Sequence, residues 1–512
     1  MQRRHFMRFS PLIVELIRAR PRLVLWLAVL AQAVLWLLVA VLLYRSPPGD
    51  LPLLLAIGRE YQVGTDLGPP LAFWLADAAF RIAGNHMIGI YLLSQICLAV
   101  TFAALFALGR RIVGGPHAAL AVILTLTITA FGMPNLTFGP QVLACPLWAL
   151  VLLHGWRVIG EGSRQAWFAL SIAAGLLLLT TTAAPWLLAL LIVFALASGA
   201  GRRSLSSLDP LFAALVVAVL VLPYLVWRAR AGTLGLPAWP GVPDPGAIAP
   251  AWGRMAGSLL LTLAGMAVLI LINTRFVHRT LLRGRDSAPA VVRRSVDPLA
   301  RRFVYVFALA PPLLGSVVAV LSGDREVAAG PGVVLLMSGL AVVMVTGDVI
   351  YLRRQQVLRT VWGVAIAAPA LVLFALALIQ PWITGTQIPT SLSAGAMAQF
   401  FGDSFQRRTN RPLPAVVGDP QLGALIGLGP ARPRVLLASP PGPGPWLTPA
   451  KFRETGGVVV WRASDTAGTP PPAIAQQFPG VVPEVPKGFD WLVNGRASPL
   501  RIGWAIVRPQ VQ

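Results

Sequence analysis

Charge is scarce in this chain. Of its 512 residues only 12% are Asp, Glu, Lys or Arg, and 56% are hydrophobic; soluble globular domains carry about 25% charged residues. That excludes an ordinary soluble enzyme and describes a polytopic membrane protein. Acids are the scarcest class, 19 against 42 Lys plus Arg, for a net charge of +23. Lysine is almost absent: Lys451 and Lys487 are the only two. The two cysteines, Cys97 and Cys145, both fall inside apolar runs. They read as buried thiols rather than a disulfide or a metal site. The five histidines are scattered without metal-ligand spacing, and no GxGxxG or P-loop occurs. The arginine excess does not form a nucleic-acid patch, because it is dispersed through short loops between apolar runs.

Crossing a bilayer takes about 20 apolar residues. Eleven runs qualify, near 23–44, 88–109, 116–133, 140–156, 166–182, 184–199, 210–227, 254–273, 303–322, 331–351 and 361–382. Alternating the loops between two sides puts 23 arginines on one side and 7 on the other. By the positive-inside rule the N-terminus is cytoplasmic, and the first long loop, 45–87, is outside. An odd number of spans then exports the C-terminus. Arg3, Arg4, Arg8, Arg18 and Arg20 resemble a signal n-region. The apolar run that follows is too long, and Tyr44-Arg45 is no cleavage site, so it reads as an uncleaved first span.

Two segments depart from the span pattern. In the first loop, Pro69-Pro70 precede a stretch over 69–84 in which Leu71, Phe73, Trp74, Leu75 and Phe80 alternate with Asp77 and Arg81. This predicts a short amphipathic helix of the interfacial kind. From about 384 the composition changes. Residues 391–408 predict a helix. Ala415-Val416-Val417, Val435-Leu436-Leu437 and Val458-Val459-Val460 predict short buried strands of a small α/β domain. The expected architecture is therefore an all-α membrane domain over 1–383, with about eleven spans, followed by an α/β domain over 384–512.

The candidates for chemistry lie in the first loop. Asp50, Glu60 and Asp66 put three acids within 17 residues on a side otherwise poor in acids. A carboxylate at the water-facing end of a span can accept a proton from an acceptor hydroxyl or amine. Guanidinium groups suit phosphate. The outward-facing candidates are Arg59, Arg81, Arg228, Arg230, Arg254 and Arg325, with Tyr61 beside Arg59. Any one of them alone also fits an arginine snorkelling to the interface. Asp348, near the inner end of its span, predicts an ion pair with Arg353 or Arg354. In the outer domain Trp446 and Trp461 suit either sugar stacking or core packing.

Asp50, then Asp66-Leu67-Gly68-Pro69-Pro70-Leu71, resembles the first extracytoplasmic loop of the family 39 glycosyltransferases. Gly109-Arg110-Arg111, Gly114-Gly115-Pro116-His117-Ala118-Ala119 and Pro140 before the run containing Trp148 resemble the same family. This sequence departs from the family at Gln141, where an acid is usual, and at Leu179-Thr180-Thr181-Thr182, where a base is usual. The resemblance implies the GT-C fold. It implies a sugar donor on a polyprenyl phosphate and a lipid, glycan or protein acceptor, in the bacterial inner membrane. The phosphate would leave, so no nucleotide site is needed; Asp50 would be the base, and a divalent cation is compatible with the chemistry. The alternatives are a relative that only binds a polyprenyl-linked glycan as an assembly partner and, with few polar groups at mid-span, a secondary transporter.

Overall fold

The computed structural model describes residues 10–65, 67–231, 245–280, 290–293, 295–324, 326–351, 355–437, 447–463, 465–493, 495–496 and 498–509. In hydrocarbon every backbone N–H and C=O must find a partner within its own segment, so apolar runs fold as helices. Each of the eleven predicted runs contains helix, although the run 331–351 ends in a short strand, Val349–Tyr351. Among the described residues six are long and apolar enough to cross a membrane alone: Pro21–Leu43, Ile88–Val113, Pro140–Ile159, Asp209–Arg230, Pro298–Ser322 and Gln356–Ile383. Three more are bent pairs, Gly115–Thr125 with Thr129–Leu136 (83°), Ala184–Ala197 with Gly199–Leu205 (106°), and Ile248–Thr262 with Ala264–Asn273 (58°). The remaining two, Ala166–Leu178 and Pro331–Val345, are shorter apolar helices.

Local chemistry explains the sharpest of these breaks. Ser198 takes an extended backbone, and its hydroxyl accepts from the N–H of Gly201, which starts a new helix at Gly199. Between Leu178 and Ala184 the helix also ends. Thr181 Oγ1 accepts from the N–H of Ala183, and Pro185 lies in the first turn of the next helix. The two spans predicted there are thus separate helices.

By contacts the chain divides into two units. The first comprises 1–36, 94–135 and 140–369. Trp148, Trp156, Phe194, Phe303 and Phe307 form an aromatic cluster that joins Pro140–Ile159, Ala184–Ala197 and Pro298–Ser322. Two short strands, β1 (Ala290–Val292) and β2 (Val349–Tyr351), pair antiparallel. This pairing brings Arg293 to Asp348, with Nε 3.0 Å from Oδ1. The partner of Asp348 is therefore an arginine 55 positions away rather than the adjacent pair; Arg353 and Arg354 lie outside the described residues.

The second unit comprises 37–93, 136–139 and 370–512. Its sheet has the order β4-β3-β5-β7-β6, with β3 Ala415–Gly418, β4 Arg434–Leu437, β5 Gly457–Arg462, β6 Glu484–Phe489 and β7 Leu500–Val507. The three predicted strands are the parallel part, β4-β3-β5. The helix expected over 391–408 runs from Ala394 to Thr409 and buries Met397, Phe401 and Phe405 against one face of the sheet. Trp461 is 1% exposed in the core of the other face, so it is a packing residue; Trp446 lies outside the described residues. The antiparallel strands β6 and β7 were not predicted. β6 carries Pro486 and a register shift between Glu484 and Lys487, which hide a strand pattern.

Gly418 closes β3 with φ +123°, and a Cβ there would run into the backbone of Val460 on β5. Gly418→Ala is expected to destabilise the chain by about 1–3 kcal/mol through strain in that conformation. Thermal unfolding of the purified full chain, followed by tryptophan fluorescence, checks this as a lowered midpoint.

Candidate active site

The first loop folds as a helical hairpin inside the second unit. Its first helix, Leu51–Gly58, packs on its second, Leu71–Ile82. The crossing is so close that a Cβ on Gly58 would meet the carbonyl oxygen of Phe73. The predicted amphipathic helix is therefore present. It buries Phe73, Ala76 and Phe80, and on the same face Asp77. The helix Pro420–Ile426, which follows β3, packs on Leu51–Gly58. The C-terminal domain thus covers the loop.

An ion cluster forms where they meet. Asp77 is fully buried. Arg432 Nη2 donates to its Oδ1, and Arg81 Nε lies 2.6 Å from its Oδ2. The Arg81 contact is ionic only, since its N–H is not aligned for a hydrogen bond and Oδ2 has no hydrogen-bond partner. Arg432 holds a left-handed backbone (φ 45°) in the turn before β4, and its guanidinium also lies 5.3 Å from the centroid of the Phe80 ring. Two residues on, Arg434 Nε lies 3.3 Å from Oε1 of Glu60, whose side chain is 8% exposed. Arg81 covers the ring of Tyr61 at 5.3 Å. Burial, reinforced by the charge of Asp77, pushes the Tyr61 phenol above its ordinary value.

Arg59 ends the first loop helix beside this cluster, and its Nη1 is buried with no hydrogen-bond acceptor. Burial lowers its pKa first. Glu60 opposes that shift, and the guanidiniums of Arg432, Arg434 and Arg81 add to it. Four guanidiniums therefore face two carboxylates, and one guanidinium edge is left without an acceptor.

Asp50 stands at the other end of the same helix. Nine positions at 1.5 Å each put its backbone about 13 Å from that of Arg59. It occupies the N-cap position, but its side chain makes no capping bond. It is exposed and forms no ion pair among the described residues. The helix dipole still favours a negative charge there. The turn before it is fixed by its neighbours. The N–H groups of Arg45 and Ser46 donate to the Thr390 carbonyl at 2.9 and 3.1 Å. Gly49 takes φ +57° against Thr137.

The structure thus gathers Glu60, Arg59, Tyr61 and Arg81 in one place and leaves Asp50 free at the head of the loop. Arg228 and Arg230 end the helix Asp209–Arg230, and Arg254 is exposed on Pro245–Thr262, all three in the first unit. Asp66 and Arg325 lie outside the described residues. Sequence reasoning singled out neither Arg432 nor Arg434, and gave Asp77 no role beyond the polar residues of an amphipathic helix. The one local signal was the Asp77/Arg81 spacing of four, which fits a helical ion pair. Among the described residues no three His, Cys, Asp or Glu side chains converge as metal ligands, and both cysteines are free thiols.

Residues 68–227 match the family model described as dolichyl-phosphate-mannose-protein mannosyltransferase. Among curated proteins none matches the sequence. Among solved structures, ArnT from Cupriavidus metallidurans bound to undecaprenyl phosphate aligns with a TM-score of 0.56 at 13% identity, over 95% of this chain and 99% of that one. The same protein in its apo state aligns with a TM-score of 0.55 at 13% identity, over 95% of this chain and 98% of that one. The chain is a multi-pass membrane protein with the GT-C glycosyltransferase fold of ArnT, and over residues 68–227 it resembles the dolichyl-phosphate-mannose-protein mannosyltransferase family.

Proposed function

We propose that the chain transfers a sugar from a polyprenyl-phosphate carrier to a lipid, glycan or protein acceptor on the outer face of the bacterial inner membrane. The N-terminus is then cytoplasmic and the C-terminal domain periplasmic, as the arginine asymmetry requires. The observation that carries this reading is the Asp50 carboxylate, exposed and uncommitted at the head of a loop that is otherwise tied down.

In this reaction Asp50 accepts the proton of the acceptor hydroxyl or amine as its oxygen or nitrogen attacks the anomeric carbon. The bond from that carbon to the phosphate oxygen breaks, with inversion, and the polyprenyl phosphate departs with the electron pair. A cation must meet the charge that develops on the phosphate. Of the loop arginines, Arg81 is committed to Asp77, whereas Arg59 keeps a donor without an acceptor. We therefore assign the phosphate to Arg59, with Tyr61 beside it; Arg228, Arg230 and Arg254 are further candidates.

The second reading is a relative that binds a polyprenyl-linked glycan without transferring its sugar. It is favoured by the pairing of Glu60 with Arg434 and of Arg81 with Asp77, which commits both candidates to the ion cluster. The purified full chain in liposomes, given a polyprenyl-phosphate sugar with a radiolabelled sugar and an extract of envelope lipids and glycans, separates the two. Transfer of label with release of polyprenyl phosphate is the expected result. Retention of the intact donor on the protein without transfer would establish the binder.

A further inference from the structure

The five helices between Pro140 and Arg230 enclose a cavity of about 570 Å³ that has no part in that chemistry. Small-ligand sites span roughly 300–1,000 Å³. The cavity forms because Ala184–Ala197 and Asp209–Arg230 each pack on Ala166–Leu178 rather than on each other. Ile192, Ala214 and Ala218 line the slot between them and are exposed there. We propose that this slot holds an acyl chain of an anionic phospholipid, whose phosphate is bound by Arg202 and Arg203. All the residues concerned belong to the first unit, and the inference does not depend on sugar transfer.

Three observations name that ligand. The walls are hydrocarbon: no lining residue but Trp167, Ser171 and Ser204 has a polar side-chain atom. The Ser171 hydroxyl is already spent on the Phe168 carbonyl at 2.8 Å. An unfilled apolar slot forfeits dispersion contacts on its lining atoms, so a hydrocarbon chain is its natural filling.

The slot also ends against a charged helix. The 106° turn at Ser198 lays Gly199–Leu205 across it, with Gly201, Ser204 and Leu205 in the wall. Residues three and four apart share a helix face, so Arg202 stands at the flank of that face and Arg203 behind it. Both are exposed. The third observation is a surplus of positive charge. Arg164, one turn before Trp167, is held by both oxygens of Asp209, at 2.9 Å from Nε and 3.2 Å from Nη2. Neither Arg202 nor Arg203 forms an ion pair among the described residues. Two uncompensated guanidiniums suit a phosphate; a zwitterionic head brings its own cation and gains less. Basic pockets between helices on the cytoplasmic side are one form of anionic-lipid site. In the topology proposed above this edge is cytoplasmic, at the opposite membrane face from the Asp50 loop.

The test uses the full chain in dodecyl maltoside. Dioleoyl phosphatidylglycerol and dioleoyl phosphatidylcholine are titrated as probes, and bound lipid is read by native mass spectrometry. Phosphatidylglycerol should bind at least about tenfold more tightly. Arg202→Gln combined with Arg203→Gln should weaken it by roughly 25-fold, about fivefold for each guanidinium, and leave phosphatidylcholine within about threefold. Ala214→Phe puts a ring into the slot and should weaken phosphatidylglycerol by at least about tenfold, with a lipid-free unfolding midpoint like that of the parent. Ala218→Phe, one turn along, fills the same slot and serves if Ala214→Phe unfolds early.

Equal affinity for the two lipids would overturn the proposal, as would unchanged phosphatidylglycerol binding to the arginine pair or to the folded phenylalanine variant. So would replacement of most of the bound phosphatidylglycerol by equimolar farnesyl phosphate, which would make the slot a seat for a polyprenyl carrier.

Discussion

Asp50→Asn is expected to lower the rate of sugar transfer by about 10²- to 10⁴-fold, the usual contribution of a positioned general base. Retention of the polyprenyl-phosphate donor should not change. The variant is well suited to the question because the Asp50 carboxylate makes no capping bond and no ion pair among the described residues. Asparagine is as good an N-cap residue as aspartate, so the helix Leu51–Gly58 keeps its start. A fall in kcat with an unchanged unfolding midpoint assigns chemistry to this carboxylate. Transfer within about threefold of the parent, well outside that range, would remove Asp50 from the mechanism.

Asp77→Ala should act on stability. It leaves Arg432, only 15% exposed at its side chain, without its buried partner. Removing one member of a buried pair costs about 3–5 kcal/mol. Arg81 is half exposed and can turn to water, so the lower end, about 3 kcal/mol, is expected here. The measurement is the unfolding midpoint together with the rate of tryptic cleavage after Arg81. The paired replacement Asp77→Leu with Arg432→Met should recover most of the loss, because two apolar side chains need no counter-charge. If the single variant unfolds like the parent, the cluster does not hold the loop.

Much of this architecture was legible in the sequence, and the reasons are physical. A membrane span is announced by composition and length alone, so every predicted run contains helix, and among the described residues six to nine of them are long enough to span. The bends were not legible: the 106° turn at Ser198 depends on one hydroxyl capping a new helix. The parallel strands announced themselves as unbroken valine and leucine runs, as strands buried on both faces do. β6, with Pro486 and a register shift, carried no such signal. Asp50 could be singled out because it is an acid where acids are rare. The fate of Asp77 could not, since 355 positions separate it from Arg432. Periodicity and local spacing contain nothing about a partner that distant.

That separation sets an order of events in the cell. At about 5–20 residues per second, the ribosome needs roughly 20–70 seconds to pass from Asp77 to Arg432. In the topology proposed above, the hairpin spends that interval across the bilayer with a carboxylate on its inner face and no counter-ion from the far end of the chain. Maturation of the first loop therefore waits on one of the last segments made, and a polypeptide arrested before codon 432 would be inserted but unlatched.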